Sequence, residues 1–218
     1  GVAAESEILR ARQAGVPPTH TAHLLAHARL LQGDARGALV AAAGADRRHE
    51  AYAMRMRGRA YLALGESDSA MAAFNRALAV APDDGAVWTD IARFRRANGD
   101  VAGALEAIDR AVVARPRDAE ALVLRGELTR GQYGLAAALP WFDRALEVDP
   151  GNVPALLERA ITYGDIGRAS DMLADVRQVH TLTGGHPTAY YLQSVLAARA
   201  RNFNLARLLY NRTRGAFD

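Results

Sequence analysis

Three histidines have a spacing that could support metal binding or proton uptake. His20, His23 and His27 are separated by three and four residues, so a helix would place them along one face. Imidazoles arranged in this way can bind a transition metal, or they can form a polar patch that takes up protons near pH 6.5. Because carboxylates are lacking nearby in the sequence, we favour the polar patch and predict no metal site.

The chain carries no other group of residues typical of an active site. It has no G-x-S-x-G, G-x-x-x-x-G-K-[ST] or H-E-x-x-H motif, and the absence of cysteine excludes disulfides and thiol nucleophiles. The glycines at 183–186 (TGGH) follow no predicted strand, so we expect a loop between helices there. We therefore predict a protein that is not an enzyme and has no catalytic residues and no cofactor.

Composition narrows the classes of partner. All 27 basic residues are arginine, against 24 acidic residues, so the net charge is only +3, and aromatic residues make up 6% of the chain. This balance does not favour nucleic acid as a partner. The longest apolar run, 38–43, is far shorter than the roughly 18–20 residues of a membrane span. The compartment stays open between cytoplasm and periplasm. Alanine, at roughly a fifth of the chain, is well above its usual share and favours helix.

The chain repeats itself with a period of 34 residues. Proline recurs at Pro82, Pro116 and Pro150. Bulky residues recur at Phe74, Ile108, Phe142, Val176 and Tyr210. Mostly small residues form three further columns, at Gly58, Ala92, Gly126, Ala160 and Ser194, at Ala70, Ala104, Ala138, Met172 and Ala206, and at Ala77, Ala111 and Ala145. Agreement between several independent columns is hard to obtain by chance.

These columns resemble the pattern of the tetratricopeptide repeat family, which places small, bulky and proline residues at fixed positions of a 34-residue unit. The resemblance implies an all-α fold, a right-handed superhelical solenoid of antiparallel helix pairs, as a single domain over residues 1–218. Residues 3–14 would form a partial or capping helix. The repeats would cover about 19–50, 51–84, 85–118, 119–152, 153–186 and 187–218.

Local signals predict the helices without reference to the family. Apolar periodicity predicts helices over 51–64, 67–80, 86–97 and 101–114. Gly65 and Gly99 stand where a first helix must end, because glycine adopts the left-handed conformation at the lowest cost. Proline ends the second helices. We expect Asp83, Asp118 and Asn152 to cap the helices that follow.

Arg57, Arg125 and Arg159 occupy one column, and so do Asp109 and Asp143. We expect these arginines to pair with acidic residues of an adjacent helix as a structural ladder. An exposed ladder would contribute little free energy per pair.

In the resembling family, the first helices line a concave groove in which ligands lie, and the resemblance assigns positions 2, 5, 9 and 12 of each repeat to it. The predicted partner-binding residues are Tyr52, Arg55, Arg59, Thr89, Arg93, Arg96, Glu127 and Arg130. Four of these arginines would form a basic cluster that can hold carboxylates, unless they are simply a solvated face. The lysine and asparagine clamp with which chaperone-binding members hold a C-terminal carboxylate is absent here, since the chain has no lysine.

The predicted function is a non-catalytic protein-interaction scaffold that holds a peptide or partner segment, with acidic or carboxylate groups, in its groove. The alternative is a repeat arm of a larger bacterial enzyme or exopolysaccharide-secretion protein whose other domains lie outside these residues. Both ends look cut, so self-association through the repeat ends is a third possibility.

Overall fold

A computed structural model describes residues 1–213 of the chain. The described residues form two compact units, Gly1–Gly99 and a second unit that begins at Asp100. The boundary between the units falls inside the predicted repeat 85–118. The single solenoid over 1–218 therefore stays a prediction. The predicted close of the last repeat, at Phe217 and Asp218, lies outside the described residues.

Both units are helical. Unit 1 (Gly1–Gly99) contains a one-turn 3₁₀ helix at Arg47–His49 and the helices α1 (Val2–Gln13), α2 (Pro18–Leu30), α3 (Ala35–Ala43), α4 (Glu50–Ala63), α5 (Ser67–Val80) and α6 (Gly85–Ala97). The described part of unit 2 (Asp100 onward) contains α7 (Val101–Ala114), α8 (Ala119–Tyr133), α9 (Leu135–Val148), α10 (Val153–Asp165), α11 (Ala169–Thr183), α12 (Pro187–Arg199) and α13 (Phe203–Asn211). No strand occurs within residues 1–213, which agrees with the predicted all-α fold class.

The helix ends follow from the turn residues that the sequence supplies. Gly65 and Gly99 both have φ of 78°, the left-handed conformation expected after a first helix. Asp118 and Asn152 accept hydrogen bonds from the first backbone amides of α8 and α10, as predicted. The prediction for Asp83 is wrong. Asp84 caps α6 instead, with Oδ1 accepting from the amide of Ala86 at 2.9 Å, because Asp84 is the residue 34 positions before Asp118.

The helices α4 and α5 form an antiparallel pair. Glu50 at the start of α4 accepts two hydrogen bonds from the Arg76 guanidinium near the end of α5, at 2.7 and 2.9 Å. The connecting turn is short, since α4 ends at Ala63 and α5 begins at Ser67.

The two helices of a pair approach most closely where a glycine faces a ring. A Cβ added to Gly58 would lie 2.3 Å from Cε1 of Phe74, and one added to Gly126 would lie 2.4 Å from Cε1 of Phe142. Both rings are fully buried. The small columns at 70, 104 and 138 and at 77, 111 and 145 are likewise fully buried alanines. The alanine excess of the sequence thus lies mainly where helices pack against each other.

The predicted arginine ladder is present at two of its three positions. Arg125 Nε donates to Asp109 Oδ1 at 2.6 Å. Arg159 bonds to Asp143 at 2.7 Å and also to Asp175, through Nη2 and Nε, at 2.7 and 2.9 Å. Since the Asp175 side chain is only 5% exposed, the small contribution expected of an exposed ladder does not apply to this pair. Hydrogen bonding to Asp175 raises the pKa of Arg159 despite partial burial, so the guanidinium stays charged.

Arg57 does not join the ladder, and this part of the prediction is wrong. Within residues 1–213 it makes no ion pair with an acid, and it contacts Tyr61 instead, through a 3.4 Å hydrogen bond from Nη2 to the hydroxyl. Arg125 bonds to an aspartate 16 residues before it in the sequence, and Arg159 bonds to aspartates 16 residues before and after it. Ala41 and Ala73 occupy these positions for Arg57, so no carboxylate is within its reach.

Glycine-to-alanine substitutions in α8 test the close approach of the helices. Gly126→Ala should lower the free energy of unfolding by about 1–3 kcal/mol, because the new methyl group has no space against Phe142. Gly131→Ala, in the same helix, should raise it by about 0.5–1 kcal/mol, because nothing lies within 4 Å of its added Cβ and alanine favours helix. Urea unfolding followed by the fluorescence of Trp141, in a Trp88→Phe background, measures both. Effects of the same sign would contradict this account.

Removal of Arg159 tests the buried ion pair. Arg159→Met should cost about 3–5 kcal/mol, because Asp175 would remain buried without a cation. The matched variant Arg76→Met removes the exposed cation of the Glu50 pair and should cost no more than about 1 kcal/mol. Urea midpoints, read from Trp141 for the first variant and from Trp88 for the second, compare them. Equal costs would show that burial of Asp175 does not matter.

Candidate functional site

The predicted partner-binding residues of unit 1 lie on α4 and α6. Tyr52, Arg55 and Arg59 follow one another at spacings of three and four residues along α4, so they share a helix face. Arg93 and Arg96 lie on α6. Tyr52, Arg55, Arg59 and Arg93 are half-buried, and Arg96 is exposed.

A buried carboxylate brings two of the arginines together. Asp90, 4% exposed, lies on α6 and bonds through Oδ2 to Arg55 Nε of α4 at 2.6 Å. Arg93 Nη1 lies 3.6 Å from the other oxygen, Oδ1. Burial alone would lower the pKa of Arg55, but the charge of Asp90 and its hydrogen bond raise the pKa above the ordinary value. Arg55 is therefore a charged residue that joins α4 to α6 and is already bound to a carboxylate.

Asp90 is a residue of this candidate site that the repeat positions do not predict. The family pattern assigns positions 2, 5, 9 and 12 to the groove, and Asp90 stands at position 6, next to the predicted residue Thr89. Thr89 is buried and its hydroxyl donates to the carbonyl of Gly85 at 2.9 Å, so this side chain is used within α6. An acidic residue among arginines at neighbouring positions was the signal available in the sequence.

Arg59 differs from Arg55 in its surroundings. Within residues 1–213 it makes no hydrogen bond or ion pair with a carboxylate. It lies close enough to His27 and Tyr52 that its charge lowers the pKa of both groups. Burial is the larger effect on each and lowers the pKa of His27 while raising that of Tyr52. His27 Nδ1 and the Tyr52 hydroxyl lie 2.7 Å apart, in hydrogen-bonding contact.

The three histidines lie on α2, as predicted, but they join a network that includes residues beyond α2. His23 is buried and stacks on His49, with ring centroids 3.9 Å apart and an angle of 9° between the rings. His49 Nδ1 lies 2.7 Å from Asp46 Oδ1, and His20 Nε2 lies 3.6 Å from Asp46 Oδ2. The prediction that no carboxylate lies near the three histidines is therefore wrong. The segment between α3 and α4 places Asp46 beside α2, although Asp46 is distant from these histidines in the sequence.

The network holds His23 in its neutral form. Burial lowers the pKa of His23, and the neighbouring His49 lowers it further. Its Nδ1 is buried and has no hydrogen-bond partner. Although burial opposes it, hydrogen bonding from His49 lowers the pKa of Asp46, which therefore stays a carboxylate at neutral pH. Among residues 1–213, no three His, Asp or Glu side chains are arranged to hold a metal ion.

The predicted binding residues of unit 2 lie on α8. Arg130 Nη2 forms an ion pair with Glu158 Oε2 of α10 at 2.6 Å, and its Nη1 donates to the Thr162 hydroxyl at 3.3 Å. Glu127 lies half-buried on the same helix. Arg130 thus links the first helices α8 and α10 by an ion pair, as Arg55 links α4 and α6 in unit 1.

Neither unit presents a catalytic arrangement in its described part. Within the described residues, the side chains of Asp46 and His49 form no hydrogen bond with a serine, threonine or cysteine side chain. The pair therefore has no nucleophile to activate. In the TGGH segment, Thr183 is the last residue of α11, and residues 184–186 connect α11 to α12, as expected of a loop. Over residues 1–213, every helix falls short of the length and apolar character that crossing a membrane requires.

Acidification tests the histidine network. The folded-state pKa values of His23 and His27 are lowered, so below about pH 6.5 the unfolded chain binds more protons than the folded one. The stability of unit 1 should therefore be complete at neutral pH and be lost as the pH falls through this range, by at most about 1.4 kcal/mol per pH unit for each histidine. Urea unfolding at several pH values between 7.5 and 5, read from Trp88 in a Trp141→Phe background, measures it.

His23→Phe keeps a ring at the stacked position but cannot be protonated, so it should reduce this pH dependence. His20→Gln changes an exposed histidine of the same helix and should keep it. The same pH dependence in the parent and in His23→Phe would exclude His23 as its source.

Comparison with known proteins finds a repeat family in the middle of the chain. Models of the tetratricopeptide repeat match residues 51–94 and residues 89–153. No curated protein matches the chain. Among solved structures, that of PilF from Pseudomonas aeruginosa has a TM-score of 0.78 with 15% sequence identity, over 92% of each chain.

Two further structures have the same helical architecture. PilW, described as a widely conserved type IV pilus biogenesis factor, has a TM-score of 0.75 at 21% identity, over 91% of this chain and 93% of its own. YrrB, described as a TPR protein with an unusual peptide-binding site, has a TM-score of 0.57 at 20% identity, over 85% of this chain and 97% of its own. At these identities the likeness concerns the fold alone. The sequence matches show that residues 51–153 contain tetratricopeptide repeats.

Proposed function

We propose that the chain is a non-catalytic protein-interaction scaffold and that the first helices of its repeats bind a segment of a partner protein. Tetratricopeptide repeats are typical of proteins that bind other proteins or peptides. On α4 the half-buried side chains of Tyr52, Arg55 and Arg59 share one face, and in this family the first helices line the groove that holds a ligand. This supports the assignment of the partner surface to α2, α4 and α6 in unit 1.

The observation that carries this proposal is the environment of Arg59. This half-buried guanidinium has no carboxylate partner within residues 1–213, whereas Arg55, one turn away, is held by Asp90. A partly desolvated cation gains from an ion pair more than a fully exposed one does. A carboxylate from a partner could accept two hydrogen bonds from its planar guanidinium.

Polar groups around Arg59 support a carboxylate as the ligand. The Tyr52 hydroxyl and the His27 ring are in mutual contact, and the charge of Arg59 acts on both. A hydroxyl and an imidazole N–H can each donate to a carboxylate oxygen. We therefore infer that the partner segment carries an acidic residue or a chain terminus and that it lies along α4.

Charge reversal tests this assignment. Arg59→Glu should reduce recovery of the partner at least about tenfold in affinity capture from extracts of the native organism, because it replaces the attraction with repulsion. Arg36→Glu makes the same change at an exposed arginine of the second helix α3 and should leave recovery unchanged. Quantitative mass spectrometry of the captured proteins compares the two. Equal recovery by both variants would reject Arg59 as a binding residue.

A further inference from the structure

A concavity in unit 2 lies between the first helices α10 and α12. Its volume is about 390 Å³, large enough for one large side chain of a bound peptide. Ile161 of α10, Leu192 and Val195 of α12 and Met172 of α11 give it an apolar lining. Met172 and Leu192 are buried, whereas Ile161 and Val195 are half-buried and therefore accessible from the surface.

Gly164 shapes the lining of this concavity. The equivalent positions of the three preceding repeats carry Leu62, Arg96 and Arg130, each of which has a long side chain at this point of the first helix. A Cβ at Gly164 would lie 2.7 Å from Met172 Sδ, so the glycine allows the methionine to approach. The three preceding repeats carry alanine at the position of Met172, so the glycine and the methionine together give this repeat an apolar wall in place of a long side chain.

Two opposite charges lie at the edge of the concavity. Asp165 is the last residue of α10 and Arg199 is the last residue of α12, and both are exposed. Arg199 Nη1 donates to the carbonyl of Gly164 at 2.9 Å, but neither side chain forms an ion pair within residues 1–213. Two unpaired opposite charges beside an apolar lining complement a ligand that carries an apolar group and both charges.

Stability of the helix does not explain Asp165. A negative charge in the last turn of a helix opposes the helix dipole, whereas Arg199 at the end of α12 is favourable. The carbonyl groups of Thr162, Tyr163 and Gly164 at the end of α10 already accept hydrogen bonds, so the Asp165 carboxylate is the group there that attracts a further cation. Asp165 therefore favours a basic group in the ligand, and Arg199 favours an acidic one.

We propose that this concavity binds an apolar residue of a partner peptide that has an acidic residue on one side and a basic residue on the other. The proposal rests on the proposed scaffold function and adds a second contact, in unit 2, of different chemistry from the Arg59 contact. The apolar side chain lies against Ile161, Met172 and Val195. The flanking charges lie against Asp165 and Arg199 and fix the direction of the peptide.

Short peptides test the proposal on the full chain. The probes are the acetylated and amidated peptides Gly-Glu-Phe-Lys-Gly and Gly-Lys-Phe-Glu-Gly, with the alanine-for-phenylalanine version of each. Titrations followed by ¹H–¹⁵N correlation spectra should shift amide signals of α10 and α12. One charge order should bind at least about threefold more tightly than the other. Replacement of phenylalanine by alanine should weaken binding about tenfold or more, because the ring loses its burial.

Variants of the chain assign the binding to this site. The double variant Asp165→Arg with Arg199→Asp changes only exposed side chains and should invert the preference between the two charge orders. Val195→Arg should abolish the shifts by filling the concavity. Val113→Arg, the same substitution at an exposed valine of α7, should leave them intact. Equal affinity for both charge orders, or a preference that the double variant does not invert, would overturn the proposal.

This result is separable from that of the Arg59 experiment. If the peptides fail to bind while Arg59→Glu still reduces partner recovery, the apolar contact of unit 2 is wrong and the scaffold function stands. If the peptides bind as described while Arg59→Glu has no effect, the proposed contact of unit 1 is wrong.

Discussion

The close approach of paired helices is the constraint on which the other features depend. Gly58 and Gly126 leave space for the rings of Phe74 and Phe142, and any larger residue would separate the two backbones. This packing buries the small residues of the second helices, while both helices of a pair carry charged side chains, such as Arg59 on α4 and Arg76 on α5. We propose that the sites that recognise a partner are built on first helices, whose positions are fixed by contacts on their other side.

Several half-buried arginines form ion pairs with acidic residues on neighbouring helices. Asp90 holds Arg55, Asp175 holds Arg159 and Glu158 holds Arg130, so these arginines organise the helices. The basic cluster predicted from repeat positions alone includes arginines, such as Arg55, that already bind a carboxylate of the protein. Residues that lack such a partner, among them Arg59 in unit 1 and Asp165 in unit 2, are the better candidates for recognition.

The sequence predicts the fold in detail because the repeat encodes it locally. The bounds of α5 and α7 are those expected, and the turn glycines have the conformation their positions require. Contacts between residues that are distant in the sequence are harder to predict from the repeat pattern. The Asp46–His49 pair reaches α2 only through the path of the chain after α3, and no column predicts it. The absence of a ladder contact for Arg57, in contrast, follows from the alanines 16 residues away and could have been predicted.

The central claim is that partners bind along the first helices. Photo-crosslinking in the native organism tests it most directly, with p-benzoylphenylalanine placed singly at Arg59 and Val195, on first helices, and at Arg36 and Val113, on second helices. We predict that the first two positions crosslink to a partner and that the last two do not. Crosslinks obtained only from Arg36 and Val113 would contradict the claim and place the partner on the opposite side of the helix pairs.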